Sequence, residues 1–169
     1  EFGIQPGDSV LDIGSGHDPF PFATHLADFA PDDDSYGRAG EPLKRPTGIP
    51  FTACNVEDMP FKDKQFDFVY CSHVLEHTKN PERACEELMR VAHRGYIETP
   101  TKGKDIFLAS GEISNHYWSV ENFKNKLYFS EYDRDERKGL GCSILMDMHC
   151  SPLTVREKAF SALILLKSR

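Results

Sequence analysis

Val10-Leu11-Asp12-Ile13-Gly14-Ser15-Gly16 is an apolar run that closes on Asp-x-Gly-x-Gly. Its apolar residues are continuous rather than alternating, so Ser9 to Ile13 reads as a short strand buried on both faces of a parallel sheet. Gly14 and Gly16 follow where the chain must turn sharply. Without side chains there, backbone amides can approach a ligand closely. Tight turns after strands use the same residues for purely conformational reasons, so the weight of this stretch depends on what lies around it.

Outward from it, Ala23 to Phe29, Phe51 to Cys54, Phe66 to Cys71 and Gly95 to Thr99 read as strands two to five. Asn80 is a good helix N-cap with Pro81 at the first helical position. Ala84, Cys85, Leu88, Met89, Val91 and Ala92 then form the apolar face of a helix that ends near Arg94-Gly95. Strand four, this helix and strand five make a right-handed β-α-β unit. Pro31 to Pro50 is a polar loop carrying Asp32-Asp33-Asp34. Beyond Pro100, His116 to Val120 and Lys126 to Ser130 read as an antiparallel hairpin, with Glu121 to Asn125 as a connection longer than a two-residue turn. Ser151-Pro152 starts a helix through about Leu166.

The dinucleotide fingerprint Gly-x-Gly-x-x-Gly fails, because Pro19 holds the third glycine position and Asp28 comes too early for the usual ~20-residue spacing of the strand-end acid. Hydride chemistry with NAD is therefore disfavoured. The segment instead resembles motif I of the class I S-adenosylmethionine-dependent methyltransferases. Asn55-Val56-Glu57-Asp58-Met59-Pro60-Phe61, followed by Phe66-Asp67-Phe68-Val69-Tyr70, is similar to a second signature of that family. His73-Val74-Leu75-Glu76-His77, with Asn80-Pro81 and Glu87-Leu88-Met89-Arg90-Val91 behind it, resembles the small-molecule and quinone-methylating subgroup, the type 11-like methyltransferases. Three blocks in order over residues 9–100 are far more specific than any one alone.

The resemblance implies an α/β fold: a Rossmann-like doubly wound sheet, mostly parallel, with an antiparallel C-terminal hairpin strand. It implies one domain over 1–169, with 139–169 as a C-terminal helical extension. One departure stands out. Only eleven residues separate Gly16 from Asp28, and they include Pro19 and Pro21. Each proline inside a helix costs roughly 3 kcal/mol, so the family's first helix is expected to shrink to a turn or vanish.

Composition narrows the partners. At 169 residues, 39% apolar and 28% charged, the chain is large enough for a real core and reads as a soluble globule. A formal net charge of -7, with no basic run longer than two residues, disfavours phosphate neutralisation and hence nucleic acid. The Asn/Asp-Pro-Pro-Tyr signature of amino-methylating DNA enzymes is also absent, its place reading Tyr70-Cys71-Ser72-His73. Cys54, Cys71, Cys85, Cys142 and Cys150 contain no Cys-x-x-Cys pair, which points to reduced thiols and a cytoplasmic setting. No leader and no run near the ~20 apolar residues of a membrane span is visible. The opening Glu1-Phe2 is read as an added remnant rather than native sequence. The expected partner is a small-molecule or glycan-like acceptor, with a homodimer left open.

For the expected cofactor, S-adenosyl-L-methionine, the resemblance assigns a residue to each chemical group. Amides of Gly14, Ser15 and Gly16 suit its carboxylate, while Asp12 orients the ammonium directly or through water. Asp28 either accepts both ribose hydroxyls or caps the following turn; as a strand-end carboxylate it is expected outside the core. Phe29 covers the adenine face. Asn55 stands where the family has an acid, its side-chain oxygen still able to accept from the adenine amino group, and the Val56 amide donates to the ring. Cys71, at the end of strand four, completes the set. Glu57 and Asp58 read as exposed or capping.

His73-Val74-Leu75-Glu76-His77 also matches the inverted zinc-peptidase motif His-x-x-Glu-His, which needs a long helix so that two imidazoles share one face. Here it directly follows a strand, and Asn80-Pro81 restarts the chain three residues later. The expectation is therefore no metal: Ser72 caps a single helical turn, Leu75 enters the core, His73 faces the reacting pocket and His77 is a buried, hydrogen-bonded residue. For transfer to an alcohol or amine a base is needed, and His73 is the first candidate, His116 the second. Tyr117 and Trp118 fill a sheet face or touch the acceptor. A non-catalytic member that binds cofactor or a partner is the alternative, favoured by the few residues preceding the first strand.

Overall fold

The computed structural model describes residues 2–32, 41–107, 115–133, 135 and 155. The chain divides into two compact units, residues 1–99 and 100–169, where the sequence reads as one domain.

In the first unit five strands form one parallel sheet: β1 (Val10–Ile13), β2 (His25–Asp28), β3 (Phe51–Ala53), β4 (Phe66–Ser72) and β5 (Ala92–Glu98). Their order is β3-β2-β1-β4-β5, so the topology reverses between β1 and β4. Every residue of β1 is buried, as its continuous apolar run requires. No helix forms between β1 and β2, where Pro19 and Pro21 lie. Phe20 does part of the work of a helix instead: its ring stacks on Tyr70 at 4.1 Å and joins Val10, Ala23, Leu26 and Phe68 in the core of that face. Phe2 packs on the same face: its ring meets Phe20, Phe68, Tyr70 and Tyr96 edge-on and its carbonyl accepts from Arg94.

α1 (Pro81–Val91) starts as the sequence predicts, with Asn80 Oδ1 accepting the Arg83 amide at 3.0 Å. It ends earlier. Ala92 already belongs to β5, and Gly95 sits inside the strand opposite Val69 rather than closing a helix. Position 95 needs glycine because a Cβ there would lie 2.6 Å from Val69 Cγ1 and 2.8 Å from Val69 O. Since the helix runs directly into the strand, its buried face is Pro81, Ala84, Glu87, Leu88 and Val91, whereas Met89 is exposed.

Glu87 is the unexpected member of that face. Its carboxylate takes a two-pronged contact from Arg90, Nε to Oε1 at 2.7 Å and Nη2 to Oε2 at 2.7 Å, and accepts the Met59 amide at 2.8 Å. Arg90 also donates to the carbonyls of Met59 and Phe61. A buried carboxylate is tolerable only when paired and hydrogen-bonded in this way. The network pins the helix-free segment after β3, and therefore Asn55 and Val56, to α1.

The second unit holds α2 (Lys102–Phe107), which the sequence reading missed, and an antiparallel pair, β6 (Trp118–Phe123) and β7 (Lys126–Glu131). The hairpin is tighter than expected. Trp118 pairs with Glu131 through to Phe123 with Lys126, leaving only Lys124 and Asn125 in the turn. Both have positive φ, 50° and 59°, as a type I′ hairpin turn requires. β6 and β7 form a sheet of their own. Trp118 packs edge-on against Phe129. The helix expected from Ser151 to Leu166 lies outside the described residues apart from Val155.

Candidate functional site

In open parallel sheets ligands bind beyond the carboxyl ends of the strands, at the point where the strand order reverses. Here that is the rim made by the ends of β1, β2 and β4, and it gathers Asp12, Gly14-Ser15-Gly16, Asp28, Cys71 and His73.

Gly14 (φ 78°) and Gly16 (φ 51°) both occupy the left-handed region that favours glycine. At Gly14 a second constraint applies: an added Cβ would lie 2.2 Å from Val74 Cγ2. The space left by the missing side chain is filled by Val74, so the segment after β4 packs directly on the loop. The loop's three amides have internal acceptors. Gly14 and Ser15 donate to Ala27 O at 2.7 and 3.2 Å, and Gly16 donates to Asp28 Oδ2 at 2.8 Å. The expected cradle of three outward amides is therefore not how this loop is built, because with no helix following it the amides bond back to β2. Ser15 Oγ, by contrast, is buried with no hydrogen-bond partner among the described residues.

Asp12 is almost fully buried on β1 and accepts the Phe20 amide at 2.8 Å. Burial raises its carboxyl from 3.8 to about 6; Asp28 and Asp18 push the same way, and the Phe20 hydrogen bond opposes them. Asp28 is also buried, contrary to the peripheral position expected of it, because its carboxylate turns inward to hold Gly16. Two buried acids at adjacent strand ends create a field that favours a cation. Cys54 feels it as well, its thiol pushed up to about 11 by burial and by Asp28.

Asn55 Oδ1 accepts the Glu57 amide at 3.0 Å, closing a local turn, so its oxygen is engaged within the loop rather than held open as expected. Val56 is buried, and Phe29 is half exposed beside Asp28. Glu57 proves to be a cap: its Oε1 accepts the amides of Lys79 and Asn80 at 2.7 and 3.1 Å, fixing the entry to α1. Cys71 is fully buried, and burial, with Glu76, Cys85 and Asp12 nearby, raises its thiol far above the usual range.

His73-x-x-Glu76-His77 does not form the helix that the zinc-peptidase motif needs. Leu75–His77 is a single 3₁₀ turn, begun by Val74 with no side-chain cap, and Ser72 is the last residue of β4 rather than a cap. His73 stands outside the turn with φ 55°, its amide donating to Glu98 O at 2.9 Å. Both imidazoles approach the same oxygen of fully buried Glu76, His73 Nδ1 at 3.3 Å and His77 Nε2 at 4.0 Å. Leu75 is in the core as expected, whereas His77 is only partly buried.

Residues 11–97 match the family described as Methyltransferase domain, just over half the chain and all but the outermost residues of the sheet, with its glycine loop. The chain belongs to this methyltransferase family. It is 34% identical over 95 residues to a demethylmenaquinone methyltransferase of Renibacterium salmoninarum, covering 55% of this chain and 40% of that protein. Over 93 residues it is 33% identical to a demethylmenaquinone methyltransferase of Streptomyces avermitilis, covering 54% of this chain and 40% of the relative. The methyltransferase domain thus spans about 40% of the length of these curated relatives. Among solved structures, an S-adenosylmethionine-dependent methyltransferase from Mesorhizobium loti is 17% identical, with a TM-score of 0.43 and coverage of 76% of this chain and 58% of its own. No helix of the described residues is long and apolar enough to cross a membrane.

Proposed function

We propose that this methyltransferase-family chain binds S-adenosyl-L-methionine at the rim of β1, β2 and β4 and transfers its methyl group to a small-molecule or glycan-like acceptor. The reading is supported above all by the pairing of buried Asp12 with buried Asp28 around a glycine loop at the reversal of strand order. Their joint negative field suits a ligand that carries an ammonium and a sulfonium. Asp12 would meet the ammonium and Asp28 the ribose hydroxyls, with Phe29 against the adenine. Ser15 Oγ–H, buried and unpartnered, is the donor still available to the ligand's carboxylate, a role the bonded amides of Gly14, Ser15 and Gly16 do not fill. When bound, the cofactor supplies a methyl carbon already activated by a positively charged sulfur. The chain's task is alignment of the acceptor at ~3–3.5 Å and acceptance of its proton, for which His73 and His116 are the candidates.

The names of the curated relatives favour a small, quinone-like acceptor over a macromolecule. The rival reading, a fold that binds cofactor without turning it over, draws on the loop amides being bonded internally. Titration calorimetry and methyl-label transfer separate the two. Micromolar binding, about -8 kcal/mol, is expected for S-adenosylmethionine and its demethylated product, with label passing into a metabolite extract. Binding without label transfer would select the rival, and neither heat nor thermal stabilisation at millimolar ligand would end the cofactor reading.

Asp28 is tested separately. Asp28→Ala removes the ribose acceptor and leaves the Gly16 amide without its partner, and the affinity is expected to fall by about 1.5–3 kcal/mol, the range for hydrogen bonds to a charged group. Asp28→Asn keeps an oxygen for Gly16 and should lose less. Unchanged calorimetric affinity in Asp28→Ala would remove it from the site.

A further inference from the structure

Two side-chain oxygens in the first unit, Ser15 Oγ and Glu76 Oε2, are buried with no hydrogen-bond partner among the described residues. Ser15 belongs to the glycine loop and Glu76 to the 3₁₀ turn after β4, and these two segments meet where Val74 fills the space beside Gly14. Ser15 is 4% exposed and Glu76 is fully buried. Each orphan costs the fold free energy, so two of them on touching segments point to a ligand that supplies their partners.

Glu76 is engaged through one oxygen only. His73 Nδ1 and His77 Nε2 approach Oε1 at 3.3 and 4.0 Å, and Oε2 is the orphan. The backbone around it is fixed, because the His77 amide donates to Val74 O at 3.0 Å and the Thr78 hydroxyl to Leu75 O at 2.8 Å. Asp12, the buried acid of β1, has the Phe20 amide as its donor. Neither Asp12 nor Glu76 meets a lysine or arginine among the described residues. Both act on the Cys71 thiol, which is raised by burial first and then by Glu76, Cys85 and Asp12. Since Cys71 lies opposite Ile13 in the β1–β4 register, the two acids share the strand ends where β1 and β4 adjoin.

S-adenosylmethionine carries an ammonium, a sulfonium and a carboxylate, and this part of the rim offers two buried acids and one buried hydroxyl. Methyl transfer leaves the carbon–sulfur bonding pair on sulfur, so the positive sulfonium becomes a neutral thioether. Substrate and product therefore differ by one charge at one place. The ammonium matched to Asp12 and the carboxylate matched to Ser15 are common to both, which leaves Glu76 for the sulfur. From this arrangement we infer that Glu76 is a specificity-determining residue that favours the positively charged methyl donor over its demethylated product, so that loss of the charge promotes release of the spent ligand. The inference rests on the cofactor reading. Direct contact is not required, because at an effective dielectric of about 20 unit charges several ångströms apart attract strongly enough for a tenfold preference. A buried water bridging the two orphans would satisfy them as well, but it would not tell the two ligands apart.

The test is titration calorimetry of the full chain with three ligands: S-adenosylmethionine, its demethylated product, and an analogue in which a carbon bearing an ammonium replaces the methyl-bearing sulfur. The parent is expected to bind S-adenosylmethionine about tenfold or more tightly than the product, and the charged analogue should follow S-adenosylmethionine. In Glu76→Gln, which keeps an oxygen for the imidazoles, the preference should shrink to within about threefold, chiefly through weaker binding of the two charged ligands. Ser15→Ala should weaken all three by a common factor, because each carries the carboxylate, and leave their ratios unchanged. Equal parent affinities for S-adenosylmethionine and product would overturn the inference whether or not any variant folds. So would a folded Glu76→Gln that keeps the parent's ratio, the result expected if the orphans merely hold a water. If the parent binds none of the three, the cofactor reading fails and the inference falls with it. Binding of all three without preference leaves the cofactor reading standing and removes Glu76 alone.

Discussion

Gly14→Ala is expected to destabilise the first unit by about 3–5 kcal/mol, adding the strain of a left-handed φ at a residue with a Cβ to the cost of overpacking. The φ of 78° supplies the first part, and the 2.2 Å approach of a new methyl to Val74 Cγ2 the second. The two contributions are separable. Truncating Val74 in the double variant Gly14→Ala/Val74→Ala removes the overlap and leaves the strain, so the pair should show a favourable coupling of about 1–3 kcal/mol, within the range for residues in contact. Urea midpoints of the parent, both single variants and the double variant measure it. A Gly14→Ala midpoint equal to the parent's would mean that the loop does not sit on Val74 as described. The same substitution should weaken cofactor binding, since the segment that displaces the loop is the one leading from β4 into Glu76.

The contrast between what was legible in the sequence and what was not follows the range of the interactions concerned. β1 could be read because a buried parallel strand must be apolar at every position, and α1 because Asn80-Pro81 is a purely local start signal. The absence of a helix after β1 was equally local, a consequence of Pro19 and Pro21. Where a long-range contact decides, the local pattern misleads. Gly95 looked like the end of a helix, but it is a strand residue whose side chain is excluded by Val69. Lys124-Asn125 carries no glycine, and the polar run Glu121-Asn122 before it hides a two-residue turn inside an apparently longer loop. Asp28 looked peripheral because nothing in its neighbours reveals that Gly16, twelve residues earlier, needs its oxygen. Likewise the Met59 amide on Glu87, and His116 and Tyr132 on Asp105, come from segments that only the folded chain brings near. A buried acid at a helix position facing the core is the signal that would have found both, because such a residue is stable only with donors converging on it.

Asp12→Asn is expected to raise the stability of the ligand-free protein at neutral pH and to abolish most of its affinity for the cofactor. The carboxyl of Asp12 is raised by burial from 3.8 to about 6, with Asp28 and Asp18 adding to the effect. For an acid raised in this direction the folded state prefers the protonated form. The stabilising contribution is complete below 3.8, declines as pH rises toward 6, and is gone above it. At neutral pH the ionised carboxylate therefore persists at a cost, and a shift of this size corresponds to about 3 kcal/mol, an upper bound for a single group. Asparagine keeps an oxygen for the Phe20 amide but does not ionise. The difference in unfolding free energy between variant and parent should accordingly grow between pH 4 and pH 6, the interval spanned by the shift, and level off above it. Denaturation at pH 4.5 and 7.5, with and without S-adenosylmethionine, measures both halves of the expectation. A cationic ammonium placed against Asp12 relieves the cost in the parent alone, so the ligand should stabilise the parent and leave Asp12→Asn almost unmoved. A pH profile identical in the two proteins would show that Asp12 carries no such burden. A variant that still gains full stability from the ligand would place the ammonium elsewhere on the rim, and the reason for burying two acids at adjacent strand ends would have to be sought in the loop itself.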